Sequence, residues 1–225
     1  MKIAICAWGS LIWDPRQLLI RTPFTPFGPE LPIEFSRISG GHEHPHRLTL
    51  VIDPEDGVPC RTHVAPSGFS DLSSAIENLR LREGMWAAGD VGIVNRHDEI
   101  VTPRAAARHP KAVLTLRDWL LGTDYDAVIW AALPPNFAAR SNCGADFSVG
   151  EAIRFLEGRP PSDMEIALAY IRNSPKEVQT PLRSAARQRW PFLAAEDPDA
   201  GPQPTCKRDT AEFFPSSRSH QEIPA

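Results

Sequence analysis

One segment of the sequence has a backbone that could bind an oxyanion or a carboxylate. An apolar run begins at Ile3 and breaks at Gly9-Ser10, where a strand would have to turn. A strand that ends in this way directs backbone N–H groups at whatever lies beyond its carboxyl end. A tight turn with no binding role explains the same residues. The turn becomes a candidate site only if another segment supplies a reactive side chain.

A glutamate at the end of a predicted amphipathic helix could be that side chain. The apolar positions of the helix recur at helical spacing, at Leu72, Ala75, Ile76 and Leu79. The next positions of this stripe are Arg82 and Glu83, so Glu83 lies on or beside the buried face. Burial raises the pKa of a carboxyl group and favours a role as base and then acid. A salt bridge to Arg80 or Arg82, or exposure where the helix frays before Gly84, is the alternative.

Histidine and cysteine residues suggest two other kinds of site. His42, His44 and His46 alternate along the chain, and with Cys60 and His63 they could form a metal site with nitrogen and sulfur ligands. Surface or substrate-lining histidines are the alternative, because glycines and a proline around them indicate a flexible loop. A thiol nucleophile at Cys60 would need His63 as its base. This pair is disfavoured, because residues three positions apart in a strand face opposite sides.

Length, charge and cysteine usage limit the class of protein. The chain has 225 residues and a net charge of −4, which fits one domain and gives no reason to expect nucleic acid or an anionic membrane as a partner. Its apolar stretches are shorter than the ~18 residues of a membrane span. The four cysteines are scattered without paired spacing, which indicates reduced thiols. We expect a cytoplasmic protein whose partners are small polar substrates or other proteins, with the oligomeric state left open.

Strand and helix patterns predict an α+β fold. Strands are predicted at 2–8, 47–53, 58–64, 91–94 and 126–133. The loop from Asp53 to Gly57 predicts that the second and third of these strands are antiparallel neighbours. Helices are predicted at 72–83, 112–121 and 151–157, each followed by a glycine. The mixed order favours a small, largely antiparallel sheet or barrel with helices packed on it.

The C-terminal part is predicted to contain more helix and then a tail. Ser174-Pro175-Lys176-Glu177 has the pattern of a capping box and predicts a helix start. Thr180-Pro181 restarts or kinks this helix, which runs on to about Arg189. No periodicity survives beyond that region. Residues 1–195 are therefore predicted to form a single domain, and residues 196–225 a flexible tail.

Three segments resemble a known family of enzymes. The segment from Ala7 to Trp13 resembles the Tyr-Gly-Ser-Leu-Ile-Trp signature of the gamma-glutamylcyclotransferase family, particularly its ChaC-type branch. Phe35-Ser36-Arg37, followed by the His-rich turn and 47–51, is similar to a second region of that branch. The segment 75–84 resembles the helix whose Arg-Glu pair holds the catalytic glutamate. The ordered match spans roughly residues 3–86.

The resemblance implies a fold and an activity. Such enzymes have a small mixed β-barrel with flanking helices, and they release 5-oxoproline from γ-glutamyl compounds by internal aminolysis. Glu83 would be the general base and then the general acid, and no metal or organic cofactor would be needed. The resemblance places the substrate at Trp8, Gly9, Ser10, Leu11 and Arg37.

Two departures from the family pattern bear on the substrate. Trp8 replaces the tyrosine of the signature, and Gly84-Met85-Trp86 replaces the Gly-Gly-Tyr that follows the glutamate in ChaC-type proteins. An indole at the mouth would favour a smaller or more apolar leaving group than that of glutathione. The rival hypothesis is a non-catalytic module that binds a ligand or a partner, with Trp8 filling the old pocket. The presence of Glu83 favours an enzyme.

Overall fold

Seven strands form two sheets in the computed structural model, which describes residues 1–41, 44–97, 101–141 and 144–193. The strands are β1 (Ile3–Ala7), β2 (Glu30–Gly41), β3 (His44–Ile52), β4 (Val58–Arg61), β5 (His63–Pro66), β6 (Val91–Asn95) and β7 (Ala127–Ala131). One sheet has the order β5-β1-β7-β6 and the other has the order β3-β2-β4. The predicted tail, His42 and Cys143 lie outside the described residues.

The first sheet is mixed and the second is antiparallel. β1 pairs in parallel with β7, where Ile3 lies opposite Ala127, and its other neighbour β5 is antiparallel. β6 is antiparallel to β7, and both neighbours of β2 are antiparallel to it. These sheets and their flanking helices confirm the α+β class. Neither sheet closes on itself within the described ranges, so a closed barrel stays a prediction.

The predicted pairing of 47–53 with 58–64 is wrong. β3 and β4 lie on opposite sides of β2, which the sequence patterns did not predict as a strand. Its pattern is hidden because Glu34 and Ser36 are fully buried polar residues among its apolar ones. The predicted strand 58–64 is in fact two strands, β4 and β5, which belong to different sheets. The chain bends between them at Thr62, whose N–H and hydroxyl both donate to the Pro29 carbonyl.

Seven helices flank the sheets within the described part of the chain. They are α1 (Leu72–Glu83), α2 (Pro103–Arg108), α3 (Pro110–Leu121), α4 (Phe137–Arg140), α5 (Val149–Glu157), α6 (Pro161–Asn173) and α7 (Pro181–Arg189). The predicted helices at 72–83, 112–121 and 151–157 are confirmed to within two residues at each end. Each described helix lacks the length and apolar character that a membrane crossing requires.

The helix start predicted at Ser174 is wrong. Ser174 instead ends α6, and its hydroxyl donates to the Tyr170 carbonyl. The next helix, α7, begins at Pro181 after Thr180, whose side chain accepts a hydrogen bond from the Arg183 N–H. Glu177, the predicted capping-box glutamate, lies 3.5 Å from a ring nitrogen of His63. The glutamate of the predicted capping box thus contacts a residue of β5 instead of capping a helix.

β1 is buried on both faces, and this fixes the segment that follows it. One face contributes Ala4, Cys6 and Trp8 to a large core that includes residues of β2, β3 and α6. The other face contributes Ile3, Ile5 and Ala7 to a smaller core that includes residues of α1. Burial of both faces stabilises the strand strongly, at roughly 25 cal/mol per Å² of apolar surface. The turn after β1 therefore begins at a strand whose position is fixed by packing on both faces.

Candidate functional site

A cavity of about 480 Å³ lies where β1 ends. Its volume is typical of sites for small molecules, which range over about 300–1,000 Å³. All six residues that the sequence assigned to a site line this cavity: Trp8, Gly9, Ser10, Leu11, Arg37 and Glu83. The turn after β1, the strand β2 and the end of α1 supply them. The structure thus brings together three segments that are far apart in the sequence.

The position of Glu83 results from the way α1 ends. Glu83 is the last helical residue, and Gly84 follows in the left-handed conformation with φ of 62°. The Gly84 N–H donates to the Leu81 carbonyl at 3.2 Å and the Met85 N–H donates to the Arg80 carbonyl at 3.0 Å, so the last turn is closed. The Glu83 side chain is 21% exposed and lines the cavity. Helix capping therefore sets where the carboxylate lies.

Arg82 joins the end of α1 to the segment that follows β1. Its side chain is almost fully buried, and its Nε donates to the carbonyls of Asp14 and Pro15 at 3.2 Å each. One Nη atom of the same guanidinium lies 3.4 Å from Glu83 Oε1, and the other donates to the Ser10 hydroxyl at 3.4 Å. The guanidinium therefore holds the carboxylate and the Gly-Ser turn in one arrangement.

The pKa of Glu83 is raised from its ordinary value of 4.5, and burial is the main cause. The positive charges of Arg82, Arg16 and Arg47 lower this pKa in turn, but they do not cancel the effect of burial. The carbonyl groups at the C-terminus of α1 also disfavour a negative charge. A carboxyl group in this setting is better suited to accept a proton and return it than an exposed one.

Tyr170 of α6 brings a phenol to the Gly-Ser turn. A Cβ atom placed on Gly9 would lie 2.7 Å from the Tyr170 Oη, so the hydroxyl packs directly against the glycine. Burial, and then the charge of Glu83, raise the pKa of Tyr170 to about 12, so the hydroxyl stays protonated at neutral pH. The backbone N–H groups of Leu50 and Ser10 face its oxygen. Sequence patterns did not assign Tyr170 to the site, because only tertiary packing relates it to Gly9.

Trp8 does not occupy the place that the sequence interpretation gave it. The indole is 5% exposed, and its Nε1 donates to the Leu50 carbonyl at 3.2 Å, so it belongs to the core. The expectation of a bulky indole that narrows the mouth at position 8 is therefore wrong. The exposed indole among the cavity residues is that of Trp86, which is 97% exposed.

The charged residues of the cavity are mostly arginines. Its carboxylates already have cationic partners, since Glu83 pairs with Arg82, and Asp90 lies 2.9 Å from both Arg104 and Arg108. Three half-buried arginines also line the cavity and take part in no ion pair within the described residues: Arg37, Arg47 and Arg140. The cavity is therefore suited to an anionic ligand.

The metal and thiol alternatives differ in how far the structure tests them. In the ranges that the structure describes, no group of three or more histidine, cysteine and acidic residues could hold a metal ion. The side chains of His42 and His44 lie outside the described part of the molecule. Burial raises the pKa of the Cys60 thiol, and it raises that of the Cys6 thiol to about 12. Neither buried thiol is a good candidate for a nucleophile.

Comparisons with known proteins assign no family. No family model, curated protein or solved structure matches this chain. A function therefore has to be argued from the cavity and from the sequence motifs that line it.

Proposed function

We propose that the chain is a γ-glutamylcyclotransferase-like enzyme, which releases 5-oxoproline from a γ-glutamyl amino acid, peptide or amine. The observation that carries the proposal is Glu83, a carboxylate with a raised pKa in a cavity that also contains the Gly9-Ser10 turn. The motif resemblance supports the same assignment, because its signature turn and its glutamate are the two parts that line this cavity together.

The reaction is an internal aminolysis that needs one group to move a proton. The α-amine of the γ-glutamyl group attacks the γ-carbonyl carbon, and a new C–N bond closes the five-membered ring. The bond between that carbon and the leaving nitrogen breaks. Glu83 takes a proton from the attacking nitrogen and returns it to the leaving nitrogen. Because both reacting groups belong to one molecule, holding the folded-back conformer supplies the advantage of proximity.

The turn after β1 and Tyr170 provide donors for the carbonyl oxygen. Negative charge develops on this oxygen during the attack, and hydrogen-bond donors that are already in place stabilise it. The backbone N–H groups of Gly9 and Leu11 are two such donors in our proposal. The Ser10 N–H faces the Tyr170 oxygen, so the phenol O–H is a third donor. Its high pKa keeps the proton on that oxygen.

The proposal also includes a barrel-like fold, a reaction without a cofactor and a cytoplasmic location. We infer that the two sheets, connected through the bend at Thr62, form the barrel-like body that the resemblance implies. The proposed reaction uses no metal or organic cofactor. Scattered cysteines and a small polar substrate favour a cytoplasmic location.

The test is to replace Glu83 and measure release of 5-oxoproline from a panel of γ-glutamyl compounds. Glu83→Gln keeps the shape of the side chain but removes the base, so we expect turnover to fall by ~10²–10⁴ with the circular dichroism spectrum unchanged. Glu77→Gln is the matched control, because Glu77 lies on the exposed side of the same helix and bonds to Arg80. It should keep wild-type turnover.

Two outcomes would contradict the proposal. Near-wild-type turnover in folded Glu83→Gln would remove Glu83 from the reaction. Binding of γ-glutamyl compounds by the wild type without any 5-oxoproline would favour the rival hypothesis of a non-catalytic module.

A further inference from the structure

The arginines of the cavity fall into two groups. The positive charges that act on the pKa of Glu83 are those of Arg82, Arg16 and Arg47. Arg37 and Arg140 belong to the part of the cavity lining that β2 and the segments after β7 form, whereas Glu83 belongs to the end of α1.

The guanidinium groups of Arg37 and Arg140 are both fixed by backbone carbonyls. Arg37 Nη1 donates to the Pro134 carbonyl at 2.7 Å. Arg140 donates to the Ile38 carbonyl at 3.2 Å and to the Gly40 carbonyl at 3.1 Å. A guanidinium has five N–H donors, so each group can still donate to a ligand. The two side chains are held in place before a ligand arrives.

Like charges gathered in a half-buried site are unfavourable unless something neutralises them. The nearest acid, Asp90, already lies 2.9 Å from Arg104 and Arg108. Among the described residues, Arg37 and Arg140 belong to no ion pair, and burial and mutual repulsion lower the pKa of Arg37. The planar fork of a guanidinium matches the geometry of a carboxylate, which it can hold through two hydrogen bonds. A carboxylate of the substrate would supply both guanidinium groups with a negatively charged partner.

We propose that Arg37 and Arg140 form a subsite for a carboxylate on the leaving group of the substrate. The inference rests on the proposed function and narrows it to γ-glutamyl amino acids and peptides rather than γ-glutamyl alkylamines. Such substrates carry two carboxylates, and the cavity lining has cations for both: Arg47 of β3, and the pair formed by Arg37 of β2 and Arg140 of α4. This subsite would favour a charged leaving group, whereas the interpretation of Trp8 from the sequence favoured an apolar one.

The test compares two substrates that differ by one carboxylate. γ-Glutamylalanine has it and γ-glutamylethylamine lacks it, while both have the same reacting bond. We expect wild-type kcat/KM to be about ten- to a hundredfold higher for γ-glutamylalanine. This factor corresponds to the free energy that a hydrogen bond to a charged group contributes. Arg140→Gln and Arg37→Gln should each remove most of this preference, because they lower kcat/KM for γ-glutamylalanine much more than kcat/KM for γ-glutamylethylamine.

Two control variants separate loss of charge from loss of fold. Arg154→Gln changes an exposed arginine of α5 and should leave both kcat/KM values unchanged. Arg140 also bonds to two carbonyls of β2, so Arg140→Lys, which keeps the charge, should retain part of the preference if Arg140→Gln unfolds. Equal kcat/KM for the two substrates in the wild type would overturn the subsite.

Direct binding keeps the two proposals apart. Calorimetric titration of Glu83→Gln with both compounds measures affinity without turnover. If the wild type releases no 5-oxoproline but γ-glutamylalanine binds more tightly and this difference is lost in Arg140→Gln, the subsite stands and the cyclotransferase function is wrong. If turnover occurs but does not depend on Arg37 or Arg140, the cyclotransferase function stands and the subsite is wrong. If the protein shows no turnover and its binding does not depend on the carboxylate, both proposals are wrong.

Discussion

Replacing Gly9 by alanine should destabilise the protein because of one atom, the Tyr170 Oη. A Cβ at position 9 would lie 2.7 Å from this oxygen, whereas the next nearest atoms, Leu50 Cβ and Tyr170 Cζ, are 3.9 Å away. A separation of 2.7 Å forces the ring or the turn to shift, and overpacking of this kind costs about 1–3 kcal/mol. Separations of 3.9 Å are ordinary contacts.

The structure therefore predicts that Tyr170→Phe rescues Gly9→Ala. Without the hydroxyl, the new methyl group meets nothing closer than 3.9 Å, so its cost should fall to about zero. Tyr170→Phe alone should cost about 1 kcal/mol, because the hydroxyl faces two backbone N–H groups. The coupling energy between the two substitutions is then about 1–3 kcal/mol, which is large for a pair of residues.

The assay is urea and thermal unfolding of the four proteins of this cycle. Gly9→Ala should lower the Tm by roughly 2–12 °C, and the double variant should have the Tm of Tyr170→Phe. Gly150→Ala is the control, because a Cβ there meets nothing within 4 Å, and its Tm should not fall. If the cost of Gly9→Ala is the same with and without the hydroxyl, the close approach of Tyr170 to the turn is refuted.

Two further predictions concern Glu83 and the tail. Because burial raises the pKa of Glu83 in the folded protein, the folded chain binds that proton more tightly than the unfolded chain, and stability falls as pH rises from the ordinary value of 4.5 through the raised one. Glu83→Gln should thus have a higher Tm than the wild type at pH 8, the difference should vanish in acid below the ordinary carboxyl pKa, and an equal or lower Tm at pH 8 would contradict this sign. Truncation after Ala195 should leave the Tm within about 2 °C of the wild type, because the tail has no apolar periodicity with which to dock; a larger fall would show that it does.

The part of the site that could be predicted from the sequence is set by neighbouring residues in the chain, namely helix caps and a turn. The start of α1 is set by Asp71, whose side chain accepts from the Ser74 N–H, and its end by Gly84 in the left-handed conformation. Both signals are visible in the sequence, and together they place Glu83 at the last helical position. The turn after β1 is equally local, since Gly9-Ser10 interrupts an apolar run.

The sequence could not predict which residues contact each other across the fold. β2 was missed because Glu34 is buried, and its carboxylate accepts from the Phe35 N–H and from the Leu182 N–H at the start of α7. Residue 182 is far along the chain, so no local pattern shows that a charged residue can lie inside a strand here. The same applies to Tyr170, whose relation to Gly9 exists only after α6 has packed.

Of the two interpretations of Glu83, the structure shows the salt bridge, while the reactive carboxylate stays a proposal. The salt bridge exists, since an Arg82 Nη atom lies 3.4 Å from Glu83 Oε1. Arg82 also donates from Nε to the carbonyls of Asp14 and Pro15 at 3.2 Å, through a different N–H group from the one that faces Glu83. The pKa of Glu83 stays above its ordinary value because the effect of burial outweighs that of the neighbouring positive charges. The ion pair with Arg82 is therefore compatible with the proposed role of Glu83, in which the carboxylate takes up a proton and gives it back.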